Sequence, residues 1–360
     1  MSDKTNQVEP NISEKDIQMV NDYMSSGAWI TEHALTKELE DKIADFVGRK
    51  HAIAVPNGTI AIYLSLLAAG LTEGKRVAVP NITMIATINA ILWIGAEPVL
   101  IDTDEDFCMS IDHLKKIKNL KAAIFVPLNG RIGNGDLIEK WCKKNQIKLI
   151  EDSAHSLGTK YKNFNAGNLG DLSILSFTPH KIITTGQGGM ILTNNQKLAN
   201  NITKLKSFNR RAGKSDWHDG FGLNFKFTDL QASLGLSQLA RLKENIKTKR
   251  KIYQYYKKHI DNDFFVIKEF KENEVPWFFD VLTKNFNVRN KLHDYLIKND
   301  IETRFSYPAL SKQKFLKEYK NNNLDFSEST HNKILWLPSS LGLKTNELKI
   351  ICDKLNRFTI

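Results

Sequence analysis

The chain has 360 residues, 41% apolar and 25% charged, with 51 basic against 40 acidic side chains and a formal net charge of +11. That balance belongs to a folded protein with one large core and room for a smaller attached domain, and it excludes a disordered or collagen-like chain. Cys108, Cys142 and Cys352 are scattered, with no C-x-x-C or zinc spacing, which argues for a reducing compartment and against a metal site or disulfide framework. No apolar run is long enough to span a membrane, and the opening MSDKTNQVEP has no apolar signal-peptide core, so a cytoplasmic location is expected.

In chain order, apolar residues at helical spacing predict helices over 14–26 (Ile17, Val20, Met24) and 35–47 (Leu35, Leu39, Ile43, Phe46), joined through Gly27-Ala28-Trp29-Ile30-Thr31. Residues 52–55 read as a short strand. Asn57-Gly58-Thr59 then opens a helix over 60–69. A glycine and a hydroxyl at a helix start offer free N–H groups, the positive end of the dipole and an O–H to an anion, although Asn and Thr also cap ordinary helices. Strands over 77–79, 98–101 and 122–126 alternate with a helix ending at Trp93 and another over 136–144. This alternation is the mark of a parallel sheet with crossover helices.

The stretch from Glu151 to Met190 carries the chemistry. An apolar run over 147–150 stops at Glu151-Asp152, as a buried strand does when it delivers a carboxylate to the edge of a parallel sheet. A second strand over 173–177 is followed by Lys181, then by Gly186-Gln187-Gly188-Gly189 and a third apolar run over 190–192. A lysine held rigidly between two short strands, partly removed from water, has a lowered pKa and attacks carbonyls. Pyridoxal phosphate needs such a lysine, a carboxylate for its ring nitrogen, and hydroxyls and N–H groups for its phosphate. Lys181, Asp152 and Ser176 supply one of each. Taken singly, each has a plainer reading: a solvated loop lysine, a strand-end cap, a strand hydroxyl.

Beyond it, residues 196–208 read as a helix and 209–222 as a polar, glycine-containing loop with Arg210, Arg211, Trp217 and His218. A helix is expected over 228–242. The run RLKENIKTKRKIYQYYKK over 241–258 has the basic and aromatic character of a nucleic-acid surface, but a solvated helix face accounts for it more simply, and no nucleic-acid partner is expected. A strand over 277–282 and helices over 288–299 and 344–356 make a small α+β domain. The boundary is drawn so that 1–245 is the large α/β domain and 246–360 the small one.

Three segments together, Glu151-Asp152-Ser153-Ala154-His155, Ser176-Phe177-Thr178-Pro179-His180-Lys181 and Thr184-Thr185-Gly186-Gln187-Gly188-Gly189, resemble the DegT/DnrJ/EryC1/StrS sugar aminotransferases. The resemblance extends over nearly the whole chain, with Gln187 where the family usually has glutamate. Asn57-Gly58-Thr59-Ile60-Ala61 matches the family's phosphate segment, and Gly222-Leu223-Asn224 with Leu230-Gln231-Ala232 a later one.

The resemblance implies a fold-type I, aspartate aminotransferase-like α/β protein with a mostly parallel central sheet. It implies pyridoxal 5′-phosphate on Lys181, which becomes pyridoxamine 5′-phosphate in the half-reaction. Asp152 would hold the ring nitrogen, and His155 would lie near the ring or its 3-hydroxyl. Gly58, Thr59, Ser176 and Asn224 would grip the phosphate, the last from the neighbouring subunit of a homodimer with shared active sites. Met84 stands where many members carry a ring-stacking aromatic; stacking and plain core packing are both open to it. Trp29, Arg304 and His218 are candidates for substrate contact, against packing, a surface ion pair and a solvated loop respectively.

The partners implied are a nucleotide-linked sugar and L-glutamate. The Thr184-Thr185-Gly186 run is that of the C4 aminotransferases of the perosamine synthase type, which act on 4-keto-6-deoxy sugars. The alternatives are a C3 aminotransferase, a pyridoxamine-dependent 3-dehydratase with histidine at the lysine position, and a non-catalytic regulator of the same fold.

Overall fold

A computed structural model describes residues 4–162, 164–213, 216–320 and 323–360. Two helices come first, α1 (Glu14–Ser25) and α2 (Ala34–Val47). Ser13 caps α1: its side chain accepts the Asp16 N–H while the Asp16 carboxylate accepts the Ser13 N–H at 2.8 Å. The buried Asp16 also accepts from Ser237 and Gln238 at 2.6 and 2.8 Å, which ties α1 to a helix more than two hundred residues later.

Strands and helices then alternate: β1 (His51–Val55), α3 (Gly58–Ala68), β2 (Arg76–Pro80), α4 (Ile85–Trp93), β3 (Glu97–Ile101), α5 (Ile111–Leu114), β4 (Leu120–Phe125), α6 (Gly135–Lys144) and β5 (Lys148–Asp152). A short ribbon, β6 (Lys160–Tyr161) with β7 (Phe164–Asn165), precedes β8 (Leu172–Ser176), β9 (Gly189–Thr193) and α7 (Gln196–Lys206). Seven strands make one sheet in the order β1-β9-β8-β5-β4-β2-β3. Every neighbouring pair is parallel except those of β9, which runs against both β1 and β8. The expected mostly parallel sheet is present.

Side chains alternate across the sheet. Ile53, Val55, Ile174 and Ile191 enter the larger apolar core, while Ala54, Leu175, Met190 and Leu192 join Leu39, Ile43 and Phe227 in a second one. Inner strand residues such as Val77, Val79, Ile124 and Ile150 have no exposed surface, as strands covered on both faces require.

The remaining elements are α8 (Asp229–Ala240), α9 (Leu242–His259), β10 (Phe265–Ile267), β11 (Phe279–Thr283), α10 (Phe286–Lys298), β12 (Arg304–Phe305), α11 (Asp325–Thr330), β13 (Ile334–Leu337) and α12 (Thr345–Asn356). Four of them form an antiparallel sheet, β10-β11-β13-β12, over a separate core that includes Leu292, Leu335, Ile351 and Leu355. The helix expected over 228–242 stops at Ala240, and Arg241 interrupts it before α9. The boundary expected between residues 245 and 246 falls inside α9. The N-terminal segment runs along the C-terminal sheet: Thr5 bridges Ile301, and Ser339 N–H donates to Gln7 O at 2.7 Å. Of the loop expected over 209–222, residues 214 and 215 lie outside the described residues.

Candidate active site

The carboxyl ends of β5 and β8, the start of α3 and the loop between β8 and β9 surround a cavity of about 350 Å³. Strand β5 starts on the exposed Lys148, buries Leu149 and Ile150 in the larger core, and ends with the buried carboxylates Glu151 and Asp152 at the sheet edge. Asp152 is 5% exposed. Its Oδ2 accepts from Thr87 Oγ1 at 2.9 Å and its Oδ1 from the Ala154 N–H at 3.3 Å. Burial pushes its pKa up, and the two hydrogen bonds and the Lys181 charge pull it back.

Opposite stands the start of α3. Asn57 caps it, accepting the Ile60 N–H at 2.9 Å through its side chain, and Gly58 and Thr59 face the cavity. A Cβ on Gly58 would lie 3.1 Å from Ser176 Cβ and 3.3 Å from its Oγ, so the hydroxyl at the end of β8 sits against the helix start. Gly189 is tighter still: a Cβ there would meet the Asn57 main chain at 2.5 Å. The two glycines let α3 begin close against β8 and β9, where its amide groups and two hydroxyls converge.

Lys181 lies on the loop between β8 and β9, which is closed on itself. The Phe177 N–H donates to Gly188 O at 2.9 Å, the Thr185 N–H to Phe177 O at 3.0 Å and Thr184 Oγ1 to the same carbonyl at 2.9 Å. Enclosure by protein lowers the Lys181 pKa to about 7; the Asp152 charge opposes this and the Arg304 charge adds to it. Nζ stands 3.9 Å from the centroid of the Trp277 ring. His155, 7% exposed, stacks on the same indole at 3.8 Å and lies nearly parallel to Tyr307 at 6.0 Å. Burial and the neighbouring cations hold the imidazole far below its usual pKa, so it is neutral, and its Nδ1 has no partner. His180, lowered to about 4 chiefly by burial, is neutral as well.

Of the residues singled out from the sequence, the cavity brings together Gly58, Thr59, Met84, Asp152, His155, Ser176, Lys181 and Arg304. Met84 is half open to solvent and uses its sulfur on the Ala86 N–H at 3.0 Å. Asn224, Trp29 and His218 do not line it. Asn224 is exposed, Trp29 is 69% exposed, and His218 Nδ1 pairs with Phe208 O at 2.8 Å within its own loop. The sequence reading missed Thr87, Trp277 and Tyr307. Thr87 sits inside the first turn of α4, Trp277 precedes a strand, and Tyr307 follows a strand of two residues; none carries a local motif.

A lowered lysine, a buried carboxylate and an anion-ready helix start at the edge of a mostly parallel sheet define a carbonyl-handling, cofactor-dependent enzyme. The chain belongs to the DegT/DnrJ/EryC1/StrS aminotransferase family, which it matches over residues 10–356. It is 34% identical over 356 residues to a GDP-perosamine synthase from Escherichia coli O157:H7, covering 97% of each chain. It is 32% identical to a GDP-perosamine synthase from Vibrio cholerae, with 97% of this chain and 98% of the other covered. Its fold is that of PseC from Helicobacter pylori, an aminotransferase of pseudoaminic acid biosynthesis, with a TM-score of 0.92 at 23% identity over 98% of both chains.

Proposed function

We propose that the protein is a pyridoxal phosphate-dependent aminotransferase that places an amino group on C4 of a nucleotide-linked 4-keto-6-deoxy sugar, with L-glutamate as donor. The observation that carries the reading is the pairing of Lys181 and Asp152 in one cavity with the open start of α3. The donor set fits the cofactor. The amide groups beside Gly58, with Thr59 and Ser176, would hold its phosphate. Asp152 would hold the ring nitrogen, His155 would stand beside the ring, and Met84 would pack on its face.

When bound, the cofactor supplies an electron sink and carries nitrogen from donor to acceptor. Lys181 Nζ, with a pKa of about 7, takes a proton from the reacting carbon and gives one back, a task suited to a group poised near working pH. Trp277, His155 and Tyr307 wall off water. Arg304, on the cavity lining, offers a guanidinium to the anionic groups of donor or sugar nucleotide.

The choice of C4 rests on the Thr184-Thr185-Gly186 run and on the GDP-perosamine synthases among the relatives, which also make GDP the first carrier to test. The reading includes a homodimer. Asn224, exposed and away from its own cavity, would serve the phosphate site of the neighbour. If so, mixing Lys181→Ala with Asn224→Ala under subunit exchange raises activity above either parent. If Asn224 serves its own chain, mixing restores nothing.

The deciding assay supplies purified protein with glutamate and GDP-, dTDP- or UDP-linked 4-keto-6-deoxy sugars and reads the product by NMR and mass spectrometry. Nitrogen on C4 with release of 2-oxoglutarate is expected. Nitrogen on C3, or loss of the C3 oxygen without net amination, would overturn the reading.

A further inference from the structure

Trp277 is held at every point from which it could move. Its indole Nε1 donates to His180 O at 2.8 Å, the carbonyl of the peptide that leads into Lys181. Its main-chain N–H donates to Asn129 O at 3.1 Å, and its main-chain carbonyl accepts from the buried Lys249 Nζ at 2.8 Å. His155 stacks on its ring at 3.8 Å and Phe278 at 3.7 Å. Lys181 Nζ rests 3.9 Å from the centroid of this fixed ring, and Asp152 acts on that nitrogen through space, with no hydrogen bond between them.

An aminotransferase frees its lysine for half of each cycle, while nitrogen rides on the cofactor. The freed amine must stay within reach of the reacting carbon without being captured by the carboxylate that serves the ring. Resting on Asp152 would tie it down; drifting into solvent would lose it. An aromatic face is an intermediate hold, because it attracts an ammonium without offering a hydrogen-bond acceptor that must later be broken. The bond from the indole to His180 O fixes the face directly to the main chain that carries Lys181.

We propose that Trp277 is a positioning residue whose indole face is the resting platform of the Lys181 amino group whenever that group is not covalently engaged. The inference rests on the cofactor reading given above. The face favours the ammonium form, while enclosure by protein favours the free amine. Around Lys181 the other titratable or charged groups include Asp152, His155, His180, Arg304 and Tyr307, whose phenol burial pushes up. Burial holds both imidazoles below their usual range, so a midpoint near 7 comes from a lysine amine and not from them. Lys249, which burial also lowers to about 7, touches the Trp277 main chain and not the face that carries Lys181.

The test uses cofactor-free protein. Pyridoxal phosphate is added at a series of pH values and the rate at which the yellow adduct forms is followed, since only the free amine attacks. Trp277 is replaced site-specifically by mono-, di- and trifluorotryptophan, which keep shape and N–H while draining charge from the face. The midpoint should start near 7 and fall stepwise with each fluorine, by about half a unit to one unit in total. Because Lys249 bonds a carbonyl that fluorination leaves alone, its own titration is common to the whole series. A midpoint that does not move across the series would overturn the platform while leaving the cofactor reading intact. Failure of the unsubstituted protein to form the adduct at any pH would overturn both.

Discussion

Two enclosed lysines, the buried Lys206 and the half-buried Lys181, show how differently a protein can surround the same side chain. Lys206 ends α7, is 1% exposed, and is saturated: it donates to Ala54 O at 2.8 Å and pairs with Glu32 at 2.7 Å and Glu40 at 3.8 Å. Its nitrogen is held by one carbonyl and two carboxylates. Lys181 opens on a cavity, meets a carboxylate only through space and rests on an indole. Enclosure by protein lowers its pKa to about 7; Lys206 is held by acceptors and serves as a strut between β1, the entry to α2 and α7. The difference lies in the partners: Lys206 pairs directly with two carboxylates, and Lys181 pairs directly with none among the described residues.

Replacing each lysine by methionine should separate the two roles. Lys181→Met should lower turnover at least about 10³-fold, because on the proposed reading both the nucleophile and the proton carrier are gone, while the urea midpoint of the cofactor-free protein stays level or rises. Lys206→Met should do the reverse. Stability should fall by about 2 kcal/mol, below the range for fully buried pairs because Glu32 and Glu40 keep contact with solvent, and turnover per folded molecule should be retained. If Lys206→Met abolished turnover without loss of stability, the comparison would fail.

A smaller effect separates them by pH. The folded-state pKa of Lys181 lies below its unfolded value of 10.5, so between about 7 and 10.5 the unfolded chain binds more protons than the native one and stability rises with pH. Lys249, lowered to about 7 by burial, contributes in the same window with the same sign. In urea titrations of the cofactor-free protein between pH 7.5 and 9.5, Lys181→Met should therefore lose roughly half of the alkaline gain that these two lysines produce. Equal slopes in the two proteins would mean that Lys181 is not held near neutrality.

The contrast between the lysines was only half legible in the sequence. Lys181 stood out because its neighbours are consecutive: strand, carboxylate, hydroxyl, lysine and glycine turn fall within forty residues, and Gly58-Thr59 announces itself at a helix start. The parallel sheet was legible for the same reason, since its strands are apolar runs separated by periodic helices. What surrounds Lys181 is not local. Trp277 and Tyr307 come from about a hundred residues further on, and Thr87 from nearly as far before, and each reads as an ordinary strand, loop or helix residue until the chain folds. Lys206 gave no signal, because Glu32 and Glu40 reach it from 174 and 166 residues away. The four-residue β13 and the two-residue β12 are too short for periodicity to mark. Asn224, Trp29 and His218 matched family segments or looked adhesive in sequence, yet a single chain leaves them outside its own cavity.

The most direct measurement is chemical. Protein loaded with pyridoxal phosphate is reduced with borohydride, digested and mapped by mass spectrometry. The pyridoxyl mass should sit on the peptide containing Lys181 and be missing from those containing Lys206 and Lys249. Stoichiometric label on either of those lysines, or loaded protein that yields no labelled peptide, would contradict the assignment of the cavity as the catalytic centre.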